Sequence, residues 1–365
     1  MRIAFVTAHM TGAGGSETLI KSLVPALEAK GYDIDCYLPQ ASDDTRWEVG
    51  IHVKYLADHA APASRALLRY DQMWGQALCW QDLWRVEALP DAVVAAAPFL
   101  CPVVRTAINF LSPRPVLISW AQVTLHALAG SEHQLPFADH HVAISHGVGE
   151  ELAKIVDPET VRVIPNGTNV DVPPIKRAAV PTFLYVGRLD NKQKRLDKLF
   201  RALAPWNNRE WKLYIIGQGR DEGALRSLAL RLGIDAHIVW MGFHEQPFDI
   251  VDRATALVLP SDWEGFGMVL VEALARGLPV LASDCPVGPR EIVSHGVNGW
   301  LFSPQDVDTL SRWLGGIIQG RVALPSEAAC QQSAMPYSLS NMVAGFHRLF
   351  QEIQNGFARV NHMSM

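Results

Sequence analysis

Short apolar runs alternate along the chain with longer segments of helical spacing. Arg2–Thr7 is the first run, and a glycine-rich turn follows it. From Glu17 to Lys30, the residues Leu19, Ile20, Leu23, Val24 and Leu27 recur at the period of a helix with one buried face, and Gly31 supplies the stop. Ile34–Leu38 predicts a second strand, and further apolar runs stand at Ala92–Ala97, Val116–Trp120, His141–Ile144 and Val161–Ile164. Continuous apolar runs belong to strands covered on both faces, and helices between them make those strands parallel. A second series opens at Thr182, with strands predicted at Phe183–Val186, Lys212–Ile216, His237–Met241, Ala256–Leu259, Val280–Ala282 and Gly299–Phe302. Leu196–Leu203 and Gly223–Leu232 are two of the helices between them. Asn166–Pro181 holds Gly167, Pro173, Pro174 and Pro181 and separates the two series. The expectation is an α/β chain of two Rossmann-like parallel-sheet domains, residues 1–168 and 182–335, with a linker at 169–181 and a closing segment at 336–365. Within that segment Leu339–Phe357 has helical spacing. Such sheets bind ligands at the carboxyl ends of their strands, here in a crevice between the domains.

A length of 365 residues suits two domains. With 49% hydrophobic and 19% charged residues, the chain is neither disordered nor fibrous. Its five cysteines are scattered without a CxxC pair, which fits a reduced, cytoplasmic protein and argues against structural zinc. The net charge of −5 is uneven: −7 over residues 1–172 and +2 over 173–365. Nothing global favours nucleic acid, and an anionic ligand belongs to the second half. No stretch of 18 apolar residues occurs, so no membrane span is expected, and MRIAFVTAHM reads as a buried strand rather than a signal peptide.

Four loops could carry chemistry. Gly12-Ala-Gly14-Gly15-Ser16-Glu17 follows the first strand; its glycines would let backbone approach an anion and Ser16 would cap the next helix. Glu17 stands where a dinucleotide fingerprint needs glycine, and there is no GKS or GKT of a P-loop. Gly217-Gln-Gly219 fails the same test at Glu222. Gly187-Arg188-Leu189, with Lys194 beyond it, puts two cations at a strand's carboxyl end, where they suit a diphosphate. Together with Lys192, Arg195 and Lys198 the same residues would also make a solvated basic turn. The run Glu264-Gly265-Phe266-Gly267-Met268 through Glu272 carries the strongest pattern. Amides of Phe266, Gly267 and Met268 would point from a helix N-terminus, and a carboxylate there can accept from two vicinal ribose hydroxyls. In the fourth loop, Asp284 to Glu291, Gly288 and Pro289 would open a helix, and Arg290 and Glu291 could touch sugar or phosphate.

Taken together, Gly14-Gly15, GRL at 187–189 with Lys194, and EGFGMVLVE at 264–272 resemble the glycosyltransferase family 4 pattern on the GT-B fold. FLYVGRL, QKR, IIGQG and SDCPVGPREIV are most similar to bacterial lipopolysaccharide-core and surface-polysaccharide transferases, among them the 1,6-galactosyltransferase group. The resemblance implies a retaining, metal-independent hexosyltransferase with no cofactor. It would move galactose or glucose from a UDP-sugar to a glycan or glycolipid hydroxyl of lipopolysaccharide core or another surface glycan. It also implies that the first domain holds the acceptor, the second the donor, and that the last helix crosses back to the first domain. Carried over by residue, Arg188 and Lys194 would hold the diphosphate, Glu272 the ribose, and Glu264 the donor sugar near the reacting carbon. Gly14 and Gly15 would close over the phosphates, the backbone at Gly242 and Phe243 would meet the base, and Gly265 to Met268 would complete the donor loop. Two places depart from the family. A histidine expected after Ile118-Ser119-Trp120 is matched by Gln122, with His126 the nearest histidine, and the glycine usual after QK is Arg195. A sugar-nucleotide epimerase, a phosphorylase, or an inactive nucleotide-sugar-binding subunit are the alternatives on the same fold.

The remaining signals are weaker. Asp33-Ile-Asp35 and Asp306-Val-Asp308 spell DxD, a short match common by chance, and the thirteen histidines show no metal-ligand spacing, so no metal is assigned. His140, His141 and His146 read as structural. Tyr70–Ala88, with Met73, Trp74, Leu78, Trp80, Leu83 and Trp84, reads as a core-facing helix; as an amphipathic one it would give peripheral contact with the inner membrane.

Overall fold

The computed structural model describes residues 1–10, 14–67, 72–122 and 130–363. Gly12, Arg69, Tyr70 and His126 lie outside the described residues. The chain divides into two compact units, one of Met1–Gly167 with Leu339–Met365 and one of Thr168–Ser338.

In the first unit seven strands form one parallel sheet: β1 (Arg2–Val6), β2 (Asp33–Leu38), β3 (Val53–Tyr55), β4 (Ala92–Ala95), β5 (Val116–Ala121), β6 (His140–Ala143) and β7 (Val161–Val163). Their order is β3-β2-β1-β4-β5-β6-β7, so the topology reverses beside β1, as in a Rossmann sheet. Ile3 pairs with Ile34 on one side and Ala92 on the other, and Ile3 to Val6 of β1 are buried. Helix α1 (Gly15–Glu28) turns Leu19, Ile20, Leu23, Val24 and Leu27 inward, as its spacing predicts. Helices α2 (Leu56–His59), α3 (Pro62–Leu67), α4 (Gln72–Val86), α5 (Leu100–Ile108) and α6 (His146–Leu152) complete the first pass. Trp80 and Trp84 of α4 are buried against the Tyr37 ring, at centroid distances of 5.1 and 6.3 Å, so this face of the helix belongs to the core. His141 is buried, with Nδ1 2.8 Å from Ser119 Oγ, and burial lowers its pKa to about 4, which keeps it neutral.

The second unit repeats the architecture. Two short strands, β8 (Lys176–Arg177) and β12 (Arg253–Ala254), pair with each other. The six-stranded sheet holds β9 (Thr182–Val186), β10 (Lys212–Ile216), β11 (Ile238–Gly242), β13 (Ala256–Leu259), β14 (Val280–Ser283) and β15 (Gly299–Phe302), in the order β11-β10-β9-β13-β14-β15 and parallel throughout. Helices α7 (Asn191–Lys194), α8 (Leu196–Leu203), α9 (Glu222–Leu232), α10 (Met268–Ala275), α11 (Pro289–Ile292), α12 (Val307–Ile318) and α13 (Glu327–Ala334) connect the strands.

Two boundaries differ from expectation. Residues 169–181 are not a separate linker: β8 pairs with β12, and the Arg177 guanidinium donates to the carbonyls of Thr255, Gly277 and Pro325 at 2.9 to 3.0 Å. Residues 336–338 also stay with the second unit. Helix α14 (Leu339–Met363) belongs to the first unit. Its Phe346 lies 5.4 Å from the Trp120 ring and Phe350 5.1 Å from Tyr32, whose hydroxyl is 2.7 Å from His347 Nδ1. Among the described residues no helix is long and apolar enough to cross a membrane.

Candidate active site

All strands of the second sheet are parallel, so the loops after β9, β10, β11, β13 and β14 share one edge. The loop after β9 carries Arg188, which is exposed. Its position is held from beneath, where the buried Tyr185 donates its hydroxyl proton to the Arg188 carbonyl at 2.7 Å. The guanidinium reaches only Gln193 Oε1, at 3.4 Å, and has no ion pair among the described residues. Asp190 then caps α7 by accepting from the Lys192 amide at 3.1 Å, and α7 presents Lys194 at its end.

Lys194 Nζ donates to Glu264 Oε1 at 2.7 Å, and Ser261 Oγ donates to the same oxygen at 2.5 Å. The Glu264 side chain is only 8% exposed, and Lys194 supplies the opposite charge beside it. Around this pair α7 is fastened to the loop after β13. Gln193 Nε2 donates to the Trp263 carbonyl at 3.1 Å, and the Asp262 amide donates to the Gln193 carbonyl at 2.9 Å. Asp262 further accepts from Arg195 Nη1 at 2.5 Å and from the buried Lys198 Nζ. The reading of 192–198 as a solvated basic turn is therefore corrected: Lys194, Arg195 and Lys198 are each paired, two of them with Asp262. Sequence reasoning missed Asp262 and Ser261; their signal was a small and an acidic residue between the strand end and Glu264.

Arg195 adopts φ 52° and ψ 44°, a left-handed conformation. This accounts for the departure noted at this position: glycine takes that conformation without strain, whereas an arginine needs compensation, here from Asp197 and Asp262.

Gly267 turns the chain at φ 95° directly before α10. The amides of Phe266, Gly267 and Met268 have no acceptor among the described residues. Gly288, at φ 91°, packs against this turn so closely that a Cβ would lie 2.4 Å from the Phe266 carbonyl oxygen. The fourth loop thus supports the third, but Arg290 is turned to other work: it forks onto Asp284 with two bonds of 2.8 Å. The Glu291 carbonyl accepts from the Tyr337 hydroxyl at 2.7 Å.

Glu272 sits on α10, partly covered, with no hydrogen bond or ion pair among the described residues. Burial pushes its pKa above 4.5, against the opposing charge of Arg276. A desolvated, unpartnered carboxylate is suited to accept from hydroxyls. Gly242 ends β11 at φ 73°, accepts from the Gly217 amide at 2.7 Å, and is followed by Phe243, 37% exposed. Arg188, Lys194, Glu264, Gly265 to Met268, Gly242 and Phe243 thus stand at one sheet edge, and Glu272 follows on α10.

Gly14 and Gly15 belong to the first unit, at the start of α1. Gly14 takes the N-cap position, and Ser16 lies inside the helix, so the expected Ser16 cap is not formed. Gln122 Oε1 accepts from Asn166 Nδ2 at 3.3 Å. The DxD matches are otherwise engaged: Asp33 with Arg2, Asp35 with Lys54, and Asp306 as the cap of α12. Among the described residues no three His, Cys, Asp or Glu side chains cluster in a metal-holding group.

The family described as Glycosyl transferases group 1 matches residues 173–334, and Glycosyltransferase Family 4 matches residues 13–172. The chain is 31% identical over 335 residues to a lipopolysaccharide 1,6-galactosyltransferase of Salmonella typhimurium, covering 88% of this chain and 91% of that one. It is 30% identical to the Escherichia coli protein of the same name, covering 90% and 92%. Among solved structures, the apo lipopolysaccharide outer core galactosyltransferase WaaB superposes with a TM-score of 0.80 at 27% identity, over 96% of this chain and 100% of that one. Anabaena HepE in complex with UDP superposes with 0.77 at 19% identity, over 96% and 100%, a likeness of fold.

Proposed function

Because the chain belongs to the group 1 and family 4 glycosyltransferases and has their GT-B fold of two Rossmann-like units, we propose that it is a retaining hexosyltransferase. It moves galactose or glucose from a UDP-sugar to a hydroxyl of lipopolysaccharide core or a related surface glycan. The observation that carries this reading is the 31% identity over 91% of a lipopolysaccharide 1,6-galactosyltransferase.

The second unit supports it chemically. Arg188, free of any ion pair among the described residues, offers its fork to the diphosphate. The unused amides of Phe266, Gly267 and Met268 add donors at the same edge. Glu272 accepts from the ribose hydroxyls, and the backbone at Gly242 and Phe243 receives the base. Lys194 and Glu264 act as one unit: the lysine shares its charge between the carboxylate and the departing phosphate, and the carboxylate is held toward the donor sugar. Charge developing on the leaving UDP is borne by Arg188 and Lys194, so no metal ion is needed. The acceptor is taken by the first unit. The enzyme works in the cytoplasm, at the inner-membrane face where a lipid-linked acceptor is presented.

The test is donor binding and hydrolysis in EDTA. Purified protein is titrated with UDP, UDP-glucose, UDP-galactose, UDP-N-acetylglucosamine and NAD, and UDP release is followed. UDP species should bind, with slow release from one hexose donor. Binding of NAD alone, or of no nucleotide, would overturn the reading.

A further inference from the structure

The groove between α8 and α9 in the second unit is lined by none of the residues assigned above to the donor. It is an open depression of about 700 Å3, and Leu225 and Leu228 of α9 are among its lining residues. Its walls carry five cations, Lys192, Arg195, Arg201, Arg220 and Arg231, against two carboxylates, Asp197 and Asp221. Arg195 is held by Asp197 and Asp262, and Arg220 lies 3.1 Å from Asp190. Lys192, Arg201 and Arg231 are exposed and have no ion pair among the described residues.

An unneutralised group of cations is notable in a chain of net charge −5. Like charges around one concavity repel each other and gain most from a shared multivalent anion. Phosphate meets guanidinium groups with several oxygens at once, which a single carboxylate cannot do for three cations. The partly exposed Leu228 adds apolar surface for the body that bears the phosphate. The groove is distinct from the donor edge although the two adjoin. Lys194 and Arg195 are consecutive, yet Lys194 reaches Glu264 whereas Arg195 lines the groove.

We propose that the α8–α9 groove is an anion site for a phosphate-bearing ligand, held by Lys192, Arg201 and Arg231 beside Leu228. The ligand is a free phosphorylated compound or the headgroup of an anionic lipid, and both present the same chemistry.

The experiment uses the full chain with UDP at saturation, so that the donor edge is occupied. Inorganic phosphate and pyrophosphate are titrated by calorimetry. Flotation is measured with vesicles of phosphatidylglycerol in phosphatidylcholine and of phosphatidylcholine alone. The wild type should bind the phosphates or the anionic vesicles, and binding should weaken steeply with salt. Arg201→Glu with Arg231→Glu should lower that binding about tenfold or more and leave UDP affinity unchanged. Binding of free phosphates identifies a soluble source, and binding of anionic vesicles alone identifies a headgroup; either result supports the site. Binding to neither probe, or equal binding by the reversed variant, overturns it, as does a parallel loss of UDP affinity. Should the reversed variant melt early, Arg201→Ala with Arg231→Ala supplies the same comparison. If UDP itself does not bind, the phosphate titration still reads the groove, and the donor reading fails alone.

Discussion

At Glu272 the fold and the ligand pull a proton in opposite directions. Burial raises its pKa above 4.5, so the fold favours the neutral carboxyl. The stability this group contributes is present below its ordinary value and is lost as pH rises through the folded value. Ribose hydroxyls favour the ionised form instead. UDP affinity is therefore expected to rise as pH climbs through the raised pKa of Glu272, with a proton released on binding. Glu272→Gln should flatten that rise, and Glu272→Ala should weaken UDP binding roughly tenfold. Calorimetry in two buffers of different ionisation enthalpy measures both effects; unchanged affinity in the alanine variant would remove the clamp. Arg195 poses a backbone question. Its left-handed φ of 52° is offset by ion pairs to Asp197 and Asp262. Arg195→Gly and Arg195→Ala both lose the pairs, so their difference isolates the strain. The glycine variant should be more stable by about 1 kcal/mol in denaturant melts. Equal stability would show the backbone to be relaxed.

Among elements, the turn before α10 and the loop after β14 form one support. Gly288 is the contact between them, with no room for a side chain beside the Phe266 carbonyl. Gly288→Ala should destabilise by about 1–3 kcal/mol and weaken UDP binding, because the amides of Phe266 to Met268 must shift. Gly223 in α9 has open space where a Cβ would stand. Gly223→Ala should be neutral or slightly stabilising and serves as the control. Equal UDP affinity in both variants would show that the two loops move independently.

For the molecule as a whole, the assignment of α14 decides where its side chains contribute. Phe346 is fully buried against Phe5 and Trp120, which are far from it in sequence and in the same unit. Phe346→Ala should cost about 3–5 kcal/mol, seen as an earlier unfolding step of the first unit. Hydrogen exchange resolved by segment checks this: β1, β5 and α1 should lose protection, and β9 to β15 should keep it. Uniform loss across both units would show that they unfold as one.

The alternation of apolar runs and helical spacing predicted both sheets except for the short, half-buried edge strand β3, because burial on two faces imposes local patterns that neighbours along the chain reveal. The loops at strand ends were legible for the same reason: glycine, a cation or a carboxylate after an apolar run stands at the sheet edge wherever the strand ends. Arg188 and Glu264 stand in such loops, after β9 and β13. Tertiary structure alone decided what those groups meet. β9 lies beside β13 in the sheet although β10, β11 and β12 intervene in the chain. That crossover brings Lys194 to Glu264 and gathers Arg195 and Lys198 on Asp262, turning an apparent solvated basic run into a paired cluster. It is also why Arg177 draws 169–181 into the second unit, through carbonyls as far away as Pro325. Periodicity reports which face of an element is buried. Which charge meets which depends on the order of strands, and strand order is set by packing between segments distant in sequence.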